Sequence, residues 1–285
     1  MAVLTIHFNS KLLRLATAAK IIIPSSVERS ASPDYEALYR AKGKLPVLWL
    51  LHGGSDNYSD WGNYTKVQYY ADQYDYAVVM PDAQTSSYAN MAYGPNWLDF
   101  YLTELPEYMY SRFPLSRERC DNFISGMSMG GFGTVKLALL QPERFLAAIP
   151  MASAVEVAKR YAEGCWDRVP GGAPRDGKPS MFNDIYGCDD HPEKVLGTAE
   201  DCYYLLKKAV EEEKELPRFL FCQGTEDHTY QGNVEFRAYA RSLGVEPDWI
   251  EAPGKHDWDS WNLYLPEVFR YIKKCRQEAG IEKNI

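Results

Sequence analysis

The sequence predicts an α/β fold: one mostly parallel central sheet with helices on both faces, in a single domain over residues 1–285. Three observations carry this. Apolar runs of strand length alternate along the chain with amphipathic stretches of helix length, the order that builds a parallel sheet through helical crossovers. Several of those runs are continuously apolar rather than alternating, as strands must be when helices cover both faces. Residues 126–131 read Gly-Met-Ser-Met-Gly-Gly, a glycine-flanked serine between a strand run and a helix run.

The opening runs, 3–8 and 19–23, flank a turn near Asn9 and Ser10 and are expected to pair antiparallel at one edge. Lys11, Arg14 and Lys20 interrupt their apolar residues and no positive charge precedes them, which fits strands better than an export signal. Further strand runs lie at 46–51, 76–80, 121–125, 145–151, 218–223 and 247–251. Helical patterns fall between them at 66–73, 97–111, Met129–Leu140, 199–214, 233–242 and 263–279. The rhythm breaks once. About 65 residues separate Met151 from Arg218, longer than an ordinary crossover. They hold a turn-rich stretch at 168–180 with Pro170, Gly171, Gly172, Pro174, Gly177 and Pro179. This predicts an insertion or cap near residues 155–215, beside the site and not a second domain.

Hydrophobic residues make up 46% of the chain and charged residues 25%, ordinary for a soluble globular protein. A net charge of −8 with no basic stripe excludes nucleic acid as a partner. No run reaches the roughly 18–20 apolar residues of a membrane span, so no membrane role is expected. The six cysteines are scattered without a pairing pattern, which suits free thiols and a cytoplasmic setting. Cys188 and His191 suggest half of a metal site, but no second pair completes it, so neither metal nor cofactor is expected. A homo-oligomer is compatible with everything in the sequence.

A serine hydroxyl becomes a good nucleophile only when a base takes its proton and a third group orients that base. Ser128, at a turn before a helix, meets the positive end of the helix dipole, and the glycines around it relieve a strained backbone. In α/β hydrolases the serine is followed along the chain by an acid and then by a histidine. The strand run 218–223 leads into Gly224-Thr225-Glu226-Asp227-His228, so Asp227 is the candidate acid and Glu226 its rival. The last strand run leads into Gly254-Lys255-His256, and His256 is the candidate base. His228 adjoins the acid on the same loop and is not suited to act on it as base; His7 and His191 lie elsewhere. An oxyanion hole needs two N–H donors, one of them expected from the Met129 backbone. The other is expected from the loop Leu50-Leu51-His52-Gly53-Gly54, in which His52 reads as structural.

The chain resembles the esterase D-like branch of the α/β hydrolases, a group of tributyrin-type esterases, S-formylglutathione hydrolases and family 1 feruloyl and acetylxylan esterases. The resemblance rests on Leu50-Leu51-His52-Gly53-Gly54 with Trp61, on Val78-Val79-Met80-Pro81-Asp82, on the 126–131 block, and on Gly254-Lys255-His256-Asp257-Trp258 with Trp261. Cys222 to Asp227 fits the acid strand of the same group. It implies an α/β-hydrolase fold and a serine carboxylesterase, with Gly54 supplying the second oxyanion N–H. The substrate implied is a small-molecule ester with a short acyl or a hydroxycinnamoyl (feruloyl-type) group. A thioesterase of the S-formylglutathione hydrolase kind or an acyltransferase is the alternative, and a non-catalytic binding module a remote one. Trp61, Trp97, Phe132 and Trp258 lie near the motif loops and are candidates for an apolar substrate wall, against the plainer reading that they pack the core.

Overall fold

The computed structural model describes residues 1–25, 43–164, 181–188 and 190–282. Its strands are β1 (Ala2–Ser10), β2 (Leu15–Ile23), β3 (Val47–Leu51), β4 (Ala77–Pro81), β5 (Asn122–Met127), β6 (Ala147–Met151), β7 (Arg218–Gly224) and β8 (Asp248–Ala252). They form one sheet in the order β1-β2-β4-β3-β5-β6-β7-β8. β1/β2 and β2/β4 are antiparallel, and every other neighbouring pair is parallel. This is the α/β-hydrolase fold.

The continuous apolar runs have the predicted cause. β3, β4, β5 and β6 are buried along their whole length because helices cover both sides. Side chains alternate across the pleat. Val47, Trp49 and Leu51 join one core with Phe132, Val135, Leu205 and Phe236. Leu48 and Leu50 join the other with Ala71, Leu265, Val268 and Phe269. The first core is roofed by α3 (Leu105–Arg112), α4 (Met129–Leu140), α7 (Cys202–Glu211) and α8 (Tyr230–Ser242), the second by α1 (Asp60–Tyr64), α2 (Val67–Tyr74) and α9 (Trp258–Glu278). Among the described residues, no helix is long and apolar enough to cross a membrane.

Several boundaries differ from the sequence expectation, and three of the differences have a visible cause. The first turn falls after Ser10 rather than at it, because Ser10 Oγ and the N–H groups of Lys11 and Leu12 all donate to the distant Glu104 carboxylate. The helix expected over 97–111 is interrupted: a turn at Trp97–Asp99 passes through a π segment, Phe100–Glu104, before α3. α9 begins at Trp258, earlier than 263, because the Asp257 carboxylate caps it by accepting from the Ser260 N–H. Between β6 and β7 the described residues form the short helices α5 (Val157–Ala162) and α6 (Met181–Tyr186), a 3₁₀ turn at Pro192–Val195, and α7. The turn-rich stretch 168–180 and Cys165 lie outside the described residues.

Candidate active site

Ser128 stands between β5 and α4 with φ 57° and ψ −119°, a conformation that L-residues rarely adopt and that costs about 1–3 kcal/mol. The glycines two places to either side are required by close approach. A Cβ on Gly126 would lie 2.6 Å from Gly130 O, and one on Gly130 only 2.5 Å from Leu51 O. Bare backbones therefore let α4 rise directly off the strand edge, and the turn projects the hydroxyl forward. Met129 opens α4, so its N–H has no partner within the helix. Gly54 lies against it: a Cβ built there would sit 3.9 Å from Met129 Cβ. Both residues line the same pocket as Ser128.

The loops after β7 and β8 are laced together. Thr225 N–H donates to Ala252 O and Glu226 N–H to Gly254 O, each at 3.0 Å. This fixes Asp227 against His256. His256 Nδ1 is 2.8 Å from Asp227 Oδ2, and its Nε2 is 2.8 Å from Ser128 Oγ. Asp227 is buried, which pushes its carboxyl up. Hydrogen bonds from His256 and from the N–H and hydroxyl of Thr229 more than offset this, and the carboxyl lies below its ordinary value. An ionised carboxylate only accepts, so His256 Nδ1 carries the proton and Nε2 presents a lone pair to the serine. The rival Glu226 is exposed to solvent and engages the loop through its backbone.

His52 is buried and has a different task. Its Nε2 accepts from the Ala83 N–H at 2.9 Å, so the proton is on Nδ1, which donates to Gly53 O at 2.7 Å. The contact between His52 Nε2 and Asp82 at 3.4 Å is then no ion pair, since that nitrogen has no hydrogen to give. His52 holds the loop that presents Gly54.

The pocket in front of Ser128 has a volume of about 500 Å³. Met129, Phe132, Val157, Phe182, Trp258 and Trp261 give it an apolar lining. Two of the four aromatic candidates belong elsewhere. Trp61 is fully buried, donates its indole N–H to Leu51 O and backs Trp258 edge-on at 5.2 Å. Trp97 is fully buried against Phe100. Phe132 and Trp258 do line the pocket.

The sequence reading named Trp261 only within a motif block and did not place it, Met181, Phe182 or the pair Glu156–Arg160 at the pocket. Glu156 is buried on the pocket wall, where burial pushes its carboxyl up although Arg160 stands 2.6 Å away. Its i,i+4 spacing to Arg160 was the available signal. Met181 and Phe182 left none, since they reach the pocket only through the path of the insertion. Cys188 and His191 do not form a ligand pair: the thiol faces the Tyr161 hydroxyl at 3.6 Å and the imidazole faces Glu193.

A hydroxyl, an aligned imidazole and adjacent backbone donors can together support acyl transfer. Fold and site define a carboxylic ester hydrolase. The chain belongs to the esterase family, whose profile matches residues 33–272, and within it to the esterase D-like α/β hydrolases. An acetyl esterase of Caldicellulosiruptor saccharolyticus is 26% identical over 96% of this chain and 99% of its own. Two solved structures from Staphylococcus aureus are each 33% identical over 96% of this chain and 98% of theirs. They are the fluorophosphonate-binding serine hydrolase FphF, with a TM-score of 0.79, and the S-formylglutathione hydrolase FrmB, with 0.77.

Proposed function

We propose that this chain is a serine esterase that cleaves small esters through an acyl-enzyme on Ser128. The observation that carries the reading is the 2.8 Å approach of His256 Nε2 to Ser128 Oγ, with Asp227 on the far side of the ring. Ser128 Oγ attacks the ester carbonyl while His256 Nε2 takes its proton. The Gly54 and Met129 N–H groups receive the oxyanion. The imidazolium, stabilised by Asp227, returns the proton to the departing alkoxide. Water then repeats the sequence on the acyl-enzyme and releases the acid.

The substrate we propose is an acetyl to butyryl ester, or a soluble hydroxycinnamoyl ester whose ring would lie against Phe132 or Trp258. The acetyl esterase relative and the apolar walls of a pocket of only about 500 Å³ support this. A second reading, a thioesterase with a thiol leaving group, is favoured by the 33% identity to a solved S-formylglutathione hydrolase. A cytoplasmic setting belongs to the proposal because Cys120, Cys188, Cys202, Cys222 and Cys275 are free thiols.

A fluorophosphonate probe should label Ser128 alone, and Ser128→Ala should lose both labelling and ester hydrolysis while remaining folded. Label on Ser125 or Ser153 would sink the assignment. A panel of nitrophenyl acetate, nitrophenyl butyrate, methyl ferulate and S-formylglutathione separates the two readings. Preference for the thioester over every oxygen ester would replace the esterase with the thioesterase.

A further inference from the structure

His228 has no part in the mechanism above, yet it stands at its centre. Its ring lies 4.3 Å from that of His256, centroid to centroid, and its Nδ1 is 3.6 Å from Asp227 Oδ1. Among the described residues no hydrogen bond holds this imidazole, and it opens onto the pocket. Asp227, His228 and His256 each offer one ligand atom, all within 4.8 Å of one another.

Two of the three spacings suit a small tetrahedral ion, and the third, between the imidazoles, lies within 4.8 Å. Tetrahedral zinc, with bonds of about 2.0–2.2 Å, holds its ligand atoms about 3.3–3.5 Å apart. The two edges that meet at Asp227 Oδ1 measure 3.0 Å, to His256 Nδ1, and 3.6 Å, to His228 Nδ1, and so bracket that length. Two imidazoles and a carboxylate are a common zinc donor set, and the pocket leaves the fourth position to water. The Thr229 N–H and hydroxyl both donate to Asp227 Oδ1, each at 2.8 Å, and so hold the ligand oxygen itself in place.

We propose that Asp227, His228 and His256 form a zinc site whose occupancy switches the esterase off. The inhibition, though not the binding, rests on the triad reading given above. A neutral imidazole has one N–H. When His256 Nδ1 gives its lone pair to the metal, the ring proton must reside on Nε2, the atom that faces Ser128 Oγ. That nitrogen then donates where it must accept, and the serine has no base. The Asp227–His256 hydrogen bond is replaced by two metal bonds, and no net proton is released from His256. His228 makes the site possible, because without it only two ligands remain.

Binding and inhibition are measured separately. Co²⁺ and Zn²⁺ are titrated into Ser128→Ala protein, following the visible bands of tetrahedral Co²⁺ and the heat of zinc binding. Hydrolysis and fluorophosphonate labelling of the unmodified enzyme are followed against free zinc, with a chelator to reverse the effect. Each variant is referred to its own metal-free rate. The tetrahedral Co²⁺ spectrum should appear, zinc should block hydrolysis and labelling together, and the chelator should restore both. His228→Asn should raise the zinc needed for half-inhibition by roughly 100-fold or more, since loss of a ligand should exceed the loss of its supporting bonds. His228→Cys, which supplies a thiolate, should keep the sensitivity and guards against a folding defect in the first variant. Undiminished zinc inhibition in His228→Asn, or no metal binding to the Ser128→Ala protein, would overturn the site. Binding through His228 that left hydrolysis unchanged would overturn the switch, since a metal on His256 Nδ1 must block the base.

Discussion

Lys136 Nζ lies 2.7 Å from Glu200 Oε2 with its ammonium wholly enclosed, so the helix that begins at Ser128 is pinned to the approach of α7. The same ammonium donates to Ser87 O at 2.8 Å and stands 4.9 Å over the ring of Phe132. One buried charge thus ties the helix after Ser128, a pocket loop and the segment before α7 together. Burial lowers the Lys136 pKa and raises that of Glu200, in each case against the pull of the partner. Desolvation therefore exceeds attraction on both sides, as is common for enclosed ion pairs.

Lys136→Ala should destabilise the fold by about 3–5 kcal/mol, because it leaves the Glu200 carboxylate buried without a counter-charge. The double change Lys136→Met with Glu200→Leu should recover most of that loss. Urea unfolding of the three proteins checks it. A single variant no less stable than the double would show that the pair is not what the stability depends on.

If Asp227 orients His256, Asp227→Asn should lower kcat by about 10⁴, the loss seen in the serine protease template when the wrong tautomer is favoured. Glu226→Gln should change kcat far less, since that side chain faces solvent. Steady-state kinetics on one nitrophenyl ester suffices. The opposite ranking would move the acid to Glu226.

The aromatic residues should divide by position. Trp258→Ala removes part of the pocket wall and should shift the ratio of aryl to alkyl ester turnover more than it shifts the melting temperature. Trp61→Ala and Trp97→Ala empty enclosed core sites and should each cost about 3–5 kcal/mol of stability. An unchanged acyl profile in Trp258→Ala would remove that residue from the pocket.

Acid sensitivity should trace in part to Glu104. Burial raises its carboxyl, but hydrogen bonds from Ser10, Leu12 and Lys11 together outweigh it, and the folded pKa lies below the ordinary 4.5. A carboxyl whose pKa is depressed on folding adds stability above its unfolded pKa, and loses it as pH falls through the folded value. Glu104→Gln should therefore be less stable than the parent at pH 7, with the gap closing below about pH 4.5. Melting temperatures across that range test it, and a gap independent of pH would assign the loss to shape alone.

Much of this was legible in the chain because it is local. Continuous apolar runs encode strands covered on both faces, and the glycines of the 126–131 block encode a backbone approach that a Cβ would forbid at 2.5–2.6 Å. The chain order of Ser128, Asp227 and His256 follows from the parallel sheet, which delivers successive strand ends to one edge. The exact start of α9 was legible too, in the Asp257 cap, although periodicity alone placed it later.

By itself, then, the sequence determined the class of sheet, the elbow and which residues could meet at its edge. Only the tertiary structure decided which aromatics face the pocket. Trp61 and Trp258 have the same chemistry and touch each other, yet one is enclosed and the other lines the cavity. It also decided that Lys136 is buried on Glu200, and that His228, unpromising as a base, stands against His256. Such relations depend on the angle at which helices and the insertion pack across the sheet. That angle is set by contacts between residues far apart in the chain, which no local pattern records.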